Sequence, residues 1–391
     1  MTPISLGLEQ LIASPPAYMK NARLGLLCNT ASVDAHLVHS RQRLAVAFGD
    51  RLAALYSPQH GLFAEKQDNM IESDHRKDPL LGIPVYSLYS RSRIPTREMF
   101  APIDILLVDL QDVGTRVYTF IYTLSYCMEA ARQYGQKVVV LDRPNPIGGQ
   151  AVEGNCLTEA MRSFVGRYPI PMRHGMTVGE LARLFNDAYG IGCDIDVIPM
   201  QGWQRRMLAG DTGLAWIAPS PNLPTPVSAL TYPGQVIWEG TNVSEGRGTT
   251  QPFELMGAPY IDPYRLLDAV DAPSMKGGFL RVVEFEPTAN KWQGEICRGF
   301  QIHVIDPITF KPYRAGLALL QAVMRCHSES FQWKAPPYEY EHERMPIDLI
   351  LGDQHLREEL AAMVPLGTLE SGWQAALTAF QRQRQDYLLY A

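Results

Sequence analysis

Polar side chains that can move protons or bind sugar hydroxyls lie at the ends of four apolar segments in the first half of the chain. These segments are residues 23–31, 51–61, 103–114 and 136–149. Their polar residues are Asn29 and Thr30 in the first; His60, Glu65 and Asp68 in or after the second; Asp109, Gln111, Asp112, Arg116 and Tyr118 in or after the third; and Asp142, Arg143 and Asn145 in the fourth. Each group alone fits ordinary turn chemistry. Four together favour one shared polar site.

The carboxylates in these groups suit sugar hydrolysis, which typically uses two carboxyl groups on either side of the glycosidic bond. Glu65 is the favoured acid, because it lies in a glycine-bordered loop after the second segment. Asp112 is the candidate partner, although Asp109 or Asp112 can equally cap the next helix. Sequence gives no distance between any pair, so the stereochemical outcome stays open.

A second polar cluster, EGTNVSEGRGTTQPFE at residues 239–254, has neither a helical nor a strand-like apolar period. It contributes Glu239, Glu245 and Glu254. Glycines at 240, 246 and 248 would let its backbone approach a ligand closely. The alternative is that Glu245 and Arg247 form an ion pair that only braces the loop. The preceding Trp238 can either stack on a ligand or anchor the loop in the core.

Other chemistries lack their motifs. The sequence contains no GxGxxG after its first apolar segment, no GxxxxGK[ST] and no HExxH, and no GxSxG follows a strand, so no nucleotide cofactor is expected. His60 and His174 have no diagnostic metal spacing, and a metal is the minority interpretation. His60 alone is weak support for a site, because a lone histidine is more often structural.

The totals indicate an ordinary globular protein. The chain has 391 residues, 46% hydrophobic and 19% charged, and a formal net charge of −6, which argues against a nucleic-acid partner. Six scattered cysteines without a CxxC pair predict reduced core thiols. No window approaches a membrane span, and the first residues do not resemble a signal peptide. We therefore expect a cytoplasmic protein that does not bind membranes, with its oligomeric state open.

The elements that must position these residues follow an alternating pattern. The near-continuous apolar segments are typical of parallel strands covered on both faces. Helices are predicted at 119–134, before Gly135, and at 177–190, where Thr177 and Glu180 form a capping box. This βαβ series predicts an α/β domain over residues 1–225. The proline-rich stretch 215–235 is interpreted as a crossover or linker, and residues 226–391 as a smaller α+β domain that ends in an amphipathic helix.

Long blocks of the sequence resemble the exo-β-N-acetylmuramidase family of bacterial glycoside hydrolases, long known only as a domain of unknown function. The resemblance spans about residues 20 to 390. It implies a Rossmann-like first domain, a smaller second domain and an active cleft between them. It also implies release of terminal N-acetylmuramic acid from the non-reducing end of peptidoglycan fragments in cell-wall turnover and recycling, without nucleotide or metal. The blocks are SPQHGLFAEKQDN, DLQDVGTRVYTFIYT, LDRPNPIGG, PIPMRHGMTVGELA, PSPNLPT and YPGQVIWEGTNVSEGRGTTQPFELMGAP.

One position departs from the family pattern. Many members read Pro-Glu-His-Gly where this chain has Gln59 before His60. A role of that glutamate cannot be carried over to Gln59. We therefore expect Glu65, or less favourably Glu72, to supply the carboxylate, unless the chemistry lies elsewhere.

The resemblance gives the polar residues candidate roles. Arg247 suits the lactyl carboxylate of N-acetylmuramic acid through paired N–H bonds, with Arg116 and Arg143 as competitors. Asn242, Thr249 and Thr250 are candidates for the N-acetyl group and hydroxyls. The predicted catalytic residues are Glu65, His60, Asp112 and Glu245. The predicted substrate-binding residues are Asn29, Arg116, Tyr118, Arg143, Asn145, His174, Asn222, Glu239, Asn242, Arg247, Thr249 and Thr250.

Two further functional classes compete with the hydrolase. Because Gln59 replaces the glutamate of many family members, one alternative is a non-catalytic, two-lobed protein that binds or senses amino sugars. A Rossmann-type group transferase is the third and least favoured hypothesis for the function. For either enzyme or binding protein, the expected partner is a small saccharide, a muropeptide fragment.

Overall fold

The computed structural model describes residues 4–67, 70–90 and 92–391, so Asp68 lies outside the described part of the chain. The strands are β1 (Leu24–Cys28), β2 (Leu52–Ser57), β3 (Arg76–Lys77), β4 (Pro84–Ser87), β5 (Ile105–Asp109), β6 (Lys137–Leu141), β7 (Glu153–Cys156), β8 (Pro171–Arg173), β9 (Ile195–Ile198), β10 (Leu255–Ala258), β11 (Gly278–Phe285) and β12 (Cys297–Val304). The helices are α1 (Gly7–Ala13), α2 (Ser40–Phe48), α3 (Arg97–Phe100), α4 (Phe120–Tyr134), α5 (Val178–Asp187), α6 (Pro226–Gln235), α7 (Pro263–Ala269), α8 (Pro312–Cys326), α9 (Pro346–Leu351), α10 (Gln354–Ala361) and α11 (Leu366–Arg384).

A seven-stranded sheet in the order β3-β4-β2-β1-β5-β6-β9 forms the first half of the molecule. Every neighbouring pair is parallel except β3 and β4, which are antiparallel. The central strands β1 and β5 are buried at every position. The predicted parallel α/β sheet is therefore confirmed, and its β1, β2, β5 and β6 correspond to the four apolar segments.

Two predicted helices begin and end on local signals. Helix α5 starts with a complete capping box, in which Thr177 Oγ1 accepts from the Glu180 N–H and the Glu180 carboxylate accepts from the Thr177 N–H at 3.0 Å. Helix α4 ends at Gly135, whose φ of 82° is left-handed. Glycine has no Cβ and adopts this conformation with little strain.

The second half contains the smaller sheet that the sequence predicted, antiparallel and in the order β10-β12-β11. Helices α6 and α7 contact α8, and α6 and α7 also contact this sheet. The interpretation of 215–235 as a linker is wrong for its second half, because α6 begins at Pro226. The Thr225 side chain accepts from the Ser228 N–H at 2.9 Å, and proline suits the first helical position.

One apolar core spans both halves. A single cluster of buried side chains includes Ile121 and Leu184 from the first half and Leu317 and Leu349 from the second. The chain end also returns to the large sheet, where the Tyr390 hydroxyl donates to Asp142 at 2.6 Å. The boundary between residues 225 and 226 coincides with the start of α6, and as a domain boundary it stays a prediction.

The cysteines carry no disulfide. Cys28, Cys127, Cys193 and Cys297 are buried, while Cys156 and Cys326 are half-buried, and all six are free thiols. Across residues 4–67, 70–90 and 92–391, no helix has the length and apolar character needed to cross a bilayer.

Candidate active site

Two adjoining cavities lie where the two halves meet. The inner cavity, about 30 Å³, is lined by the buried residues Gln59, His60, Tyr118, Thr119, Glu239 and Glu339. The outer groove, about 760 Å³, is lined by Glu245, Lys291, Trp292, Gln332, Trp333 and Lys334. Glu239, Arg247 and Tyr338 line both and form the junction between them.

The first half contributes its side chains at the carboxyl ends of strands, where parallel sheets place their ligand sites. Gln59 and His60 follow β2, and Thr119 precedes α4. His60 has a φ of 72°, and its Nδ1 lies 2.7 Å from the Lys66 carbonyl oxygen, which closes a tight turn. This turn leaves the Gln59 side chain in the inner cavity.

Gln59 connects the two halves through its amide. Its Oε1 accepts from the Thr119 hydroxyl at 2.7 Å, and its Nε2 donates to Glu339 at 3.0 Å. Tyr89 donates to the other oxygen of Glu339 at 2.5 Å. The Glu339 carboxyl thus lies beside the position where many family members have glutamate.

The environment of Glu339 favours its protonated form. Burial raises the pKa of the Glu339 carboxyl above its ordinary value, although hydrogen bonds from Tyr89 and Gln59 act to lower it. The nearby negative charge of Glu239 also raises this pKa. Glu339 is therefore suited to deliver a proton.

Glu239 lies in a different environment, beside a cation. Its Oε1 accepts from Arg247 at 2.6 Å, and its Oε2 accepts from the Tyr338 hydroxyl at 2.7 Å. These two contacts hold the Glu239 carboxylate between a guanidinium and a phenol. The inner cavity therefore combines a carboxyl group whose pKa burial raises with a second one that is paired with an arginine.

A buried network of charges continues from Glu239 into the outer groove. Arg247 Nε lies 3.2 Å from Glu245, which Lys291 contacts from its other side at 2.7 Å. Burial acts to raise the pKa of Glu245, but Lys291 and Arg247 hold it below its ordinary value. The Nη1 of Arg247 is buried and donates no hydrogen bond to the described residues. The loop-bracing ion pair that the sequence left open thus exists, and it is buried.

Several sequence-predicted residues meet at these cavities. His60, Tyr118, Asn222, Glu239 and Arg247 line the inner cavity. Asn242 and Glu245 line the outer groove together with Glu239 and Arg247. Asn222 also donates to the Gln67 carbonyl at 3.0 Å, which attaches the segment before α6 to the loop after β2.

Glu65, the favoured acid, lies outside both cavities. Its side chain is 36% exposed and lies 3.3 Å from Arg76. The tight turn after β2 folds its carboxyl back over Gly61, where an added Cβ would lie 2.6 Å from Glu65 Oε2. The backbone geometry of this turn therefore separates Glu65 from Gln59, and the position gives no support to a role as acid.

Asp112 and His174 form a buried pair that lines neither cavity. His174 Nε2 lies 3.4 Å from Asp112 Oδ2, which also accepts from the Gly114 N–H at 2.7 Å. His174 Nε2 and Asp112 Oδ1 are buried and have no hydrogen-bond partner among the described residues. The catalytic role of Asp112 and the binding role of His174 stay predictions.

Two predicted sugar-binding arginines instead bind the protein itself. Arg116 is fully buried and donates to main-chain carbonyls, among them Ile350 at 3.1 Å and Leu351 at 2.7 Å. Arg143 pairs with Asp109 at 2.5 Å. Their donors therefore hold elements together, and neither residue lines the two cavities.

The remaining candidates make turn and loop contacts. Asn145 donates to the Met176 carbonyl at 3.0 Å, and Asn29 donates to the Pro219 carbonyl at 3.1 Å. The Thr249 hydroxyl donates to the Gly246 carbonyl at 2.6 Å, and Thr250 is exposed. None of these four residues lines either cavity.

Sequence reasoning missed Glu339, Tyr338 and the groove residue Trp333. A local signal exists, because the stretch 336–346, PPYEYEHERMP, combines aromatic and acidic residues after two prolines. Among the described residues, no group of three His, Cys, Asp or Glu side chains is arranged to hold a metal ion.

Comparison with known proteins gives the same family along the whole chain. The N-terminal profile of the exo-β-N-acetylmuramidase NamZ matches residues 24–227, and the C-terminal profile matches residues 230–390. A peptidoglycan β-N-acetylmuramidase NamZ from Bacillus subtilis is 39% identical over 387 residues, which are 99% of this chain and 91% of that protein.

Two crystal structures of DUF1343 family proteins from Bacteroides fragilis share the fold. One superposes with a TM-score of 0.89 at 32% identity and full coverage of both chains. The other has a TM-score of 0.76 at 27% identity, with 100% of this chain and 99% of that chain covered. The profiles, the relative and the two structures together show that this chain belongs to the exo-β-N-acetylmuramidase family of glycosidases.

Proposed function

We propose that this chain hydrolyses the bond that follows a terminal N-acetylmuramic acid at the non-reducing end of peptidoglycan fragments. The observation that carries the proposal is the pair of carboxyl groups at the inner cavity. Glu339 has a raised pKa through burial, and Glu239 is paired with Arg247. Glycoside hydrolysis typically uses two carboxyl groups that flank the bond, one of which gives a proton to the leaving oxygen.

Glu339 is the proposed general acid. It would protonate the leaving oxygen, while Glu239, paired with Arg247, faces the positive charge that develops at the anomeric carbon. The contact between Gln59 and Glu339 supports this role, because it places the Glu339 carboxyl beside the position where many relatives have glutamate. The second half of the chain supplies a carboxyl group to the same place.

The inner cavity is suited to water. Its volume of about 30 Å³ holds roughly two water molecules at about 10–15 Å³ each, and it is too small for a pyranose ring. The terminal sugar would therefore approach through the outer groove and bind at the junction of Glu239, Arg247 and Tyr338. A water in the inner cavity would then attack the anomeric carbon and give its proton to the deprotonated Glu339, which restores the acid.

Arg247 is the proposed ligand of the lactyl carboxylate. Its buried Nη1 has no hydrogen-bond partner among the described residues, although the same guanidinium contacts Glu239 and Glu245. A buried donor without a partner is costly, and an incoming carboxylate would satisfy it. This group distinguishes N-acetylmuramic acid from N-acetylglucosamine.

The proposed setting is cell-wall turnover and recycling in the cytoplasm. The six free thiols support a reducing compartment. There the enzyme would meet imported peptidoglycan fragments, and those whose terminal sugar carries no stem peptide would offer Arg247 a free lactyl carboxylate. The release of free N-acetylmuramic acid from such fragments, resolved by mass spectrometry, tests this substrate class.

The first experiment compares a chromogenic β-N-acetylmuramide with the matching β-N-acetylglucosaminide, without added metal or nucleotide. Release from the muramide alone supports the proposal. Release from the glucosaminide alone would retain a hydrolase and remove the lactyl argument for Arg247. No release from either, with sugar binding still measured by calorimetry, would favour the binding protein over the enzyme.

A further inference from the structure

The outer groove presents two tryptophans beside the junction. Trp292 and Trp333 are both half-buried, and they line the same groove as Glu239 and Arg247. The groove also carries amide side chains, including Asn242 and Gln332. Its volume of about 760 Å³ falls within the usual range for small-molecule sites, roughly 300–1,000 Å³.

Trp292 is held in place by a hydrogen bond from its indole N–H and by the contacts of the preceding residue, Lys291. Its Nε1 donates to the Asn242 carbonyl at 2.6 Å. Lys291 donates to the carbonyls of Trp238 at 2.6 Å and Val243 at 2.9 Å. The φ of Trp292 is 60°, a strained value for a bulky residue that the surrounding contacts must maintain. The ring is therefore fixed before a ligand arrives.

Trp333 lies on a later segment of the chain that pairs with the same loop. It pairs with Thr241 in an isolated β-bridge, and the Lys334 N–H donates to the Gly240 carbonyl at 2.9 Å. Phe331 packs against it at 4.9 Å with an interplanar angle of 84°. Both tryptophans thus lie on supports that also position Glu239.

Beyond the junction with the inner cavity, the charges of the groove favour a neutral occupant. Glu239 and Glu245 are paired with Arg247 and Lys291 inside the buried network, and Lys334 adds one charge at the exposed rim. A stem peptide with its carboxylates would find little compensating charge along these walls. A pyranose instead offers a flat C–H face for an indole and hydroxyls for amides.

We infer that the outer groove binds the leaving saccharide, a neutral N-acetylated hexosamine, with Trp292 and Trp333 packed against its ring. The inference rests on the proposed function and adds the part of the substrate beyond the cleaved bond.

The test is a binding titration with N,N′-diacetylchitobiose, followed by intrinsic tryptophan fluorescence and by calorimetry. We expect Trp333→Ala to weaken binding about 3- to 10-fold, the usual range for one aromatic packing partner. Trp333→Phe should recover most of the affinity. Trp373→Ala, which removes a half-buried tryptophan of α11 outside the groove, should bind as the wild type does. Circular dichroism confirms that each variant folds.

Hydrolysis separates this inference from the proposed function. With a muramyl-glucosamine disaccharide, Trp333→Ala should lower kcat/KM about 3- to 10-fold. If no muramide is hydrolysed and chitobiose binding still depends on Trp333, saccharide binding in the outer groove is supported and the proposed reaction is contradicted. If muramides are hydrolysed while Trp333→Ala and Trp292→Phe change neither chitobiose binding nor kcat/KM, the inference is overturned. Binding of an alanyl-glutamate dipeptide in place of chitobiose would overturn it as well.

Discussion

Glu339→Gln tests the proposed general acid most directly. The substitution preserves size and leaves an oxygen to accept from Gln59, while the Tyr89 hydroxyl can turn to accept from the new amide. The fold should therefore change in stability by no more than about 1.5 kcal/mol, the net value of one hydrogen bond. What the variant loses is a carboxyl group that can give a proton and whose pKa burial raises.

The size of the loss follows from the leaving group. A positioned acid contributes roughly 10²–10⁴-fold to rate, which corresponds to about 2.7–5.4 kcal/mol of activation free energy. A sugar is a poor leaving group, so kcat on a muramyl-glucosamine disaccharide should fall by roughly that factor. A dinitrophenyl muramide needs little protonation, and its kcat should fall by less than about tenfold.

The assay measures kcat and kcat/KM for both substrates, with Glu65→Gln and Glu358→Gln in parallel. Glu358 is an exposed glutamate, with 68% of its side chain accessible, and serves as the matched control. The reasoning is refuted if Glu339→Gln keeps its rate on the disaccharide. It is equally refuted if Glu65→Gln shows the large loss, which would restore the acid that the sequence favoured.

Three further predictions concern recognition and stability. Arg247→Lys keeps a positive charge but loses the paired donors, so KM for the β-muramide should rise about tenfold more than KM for the β-glucosaminide, as measured by initial rates. Arg116→Met removes the donors to the Ile350 and Leu351 carbonyls and should lower the free energy of unfolding by about 2–4 kcal/mol in urea, with KM unchanged. Burial raises the pKa of Glu153 from 4.5 to about 7, so Glu153→Gln should remove a fall in stability of up to roughly 3 kcal/mol between pH 4.5 and 7.

The sign of the last effect follows from proton binding. Between pH 4.5 and 7 the folded state keeps the Glu153 proton that the unfolded state releases, so stability falls as pH rises through this window. Parallel stability curves for wild type and Glu153→Gln would contradict it.

The other two predictions also have outcomes that would contradict them. If Arg247→Lys raises both KM values equally, Arg247 has no lactyl role. If a stable Arg116→Met protein has a higher KM, Arg116 is a substrate ligand after all.

The sequence determined those features that depend on neighbouring residues. The capping box of Thr177 and Glu180, the helix end at Gly135 and the apolar strands are set within a few positions of the chain, and each was predicted. The polar loop 239–254 was also recognised as a site element, because its composition fits neither helix nor strand. The long family blocks identified the family before any geometry was known.

Only the tertiary structure decided which polar residues share a cavity. Gln59 contacts Glu339 across 280 positions of sequence, and Arg116 contacts Leu351 across 235. Pattern and spacing carry no information about such pairs, since the direction of a side chain depends on the backbone turn that bears it. The same turn after β2 directs Gln59 inward and folds Glu65 back toward Arg76. Composition near a strand end thus indicated a site, and packing between the two halves selected the residues that form it.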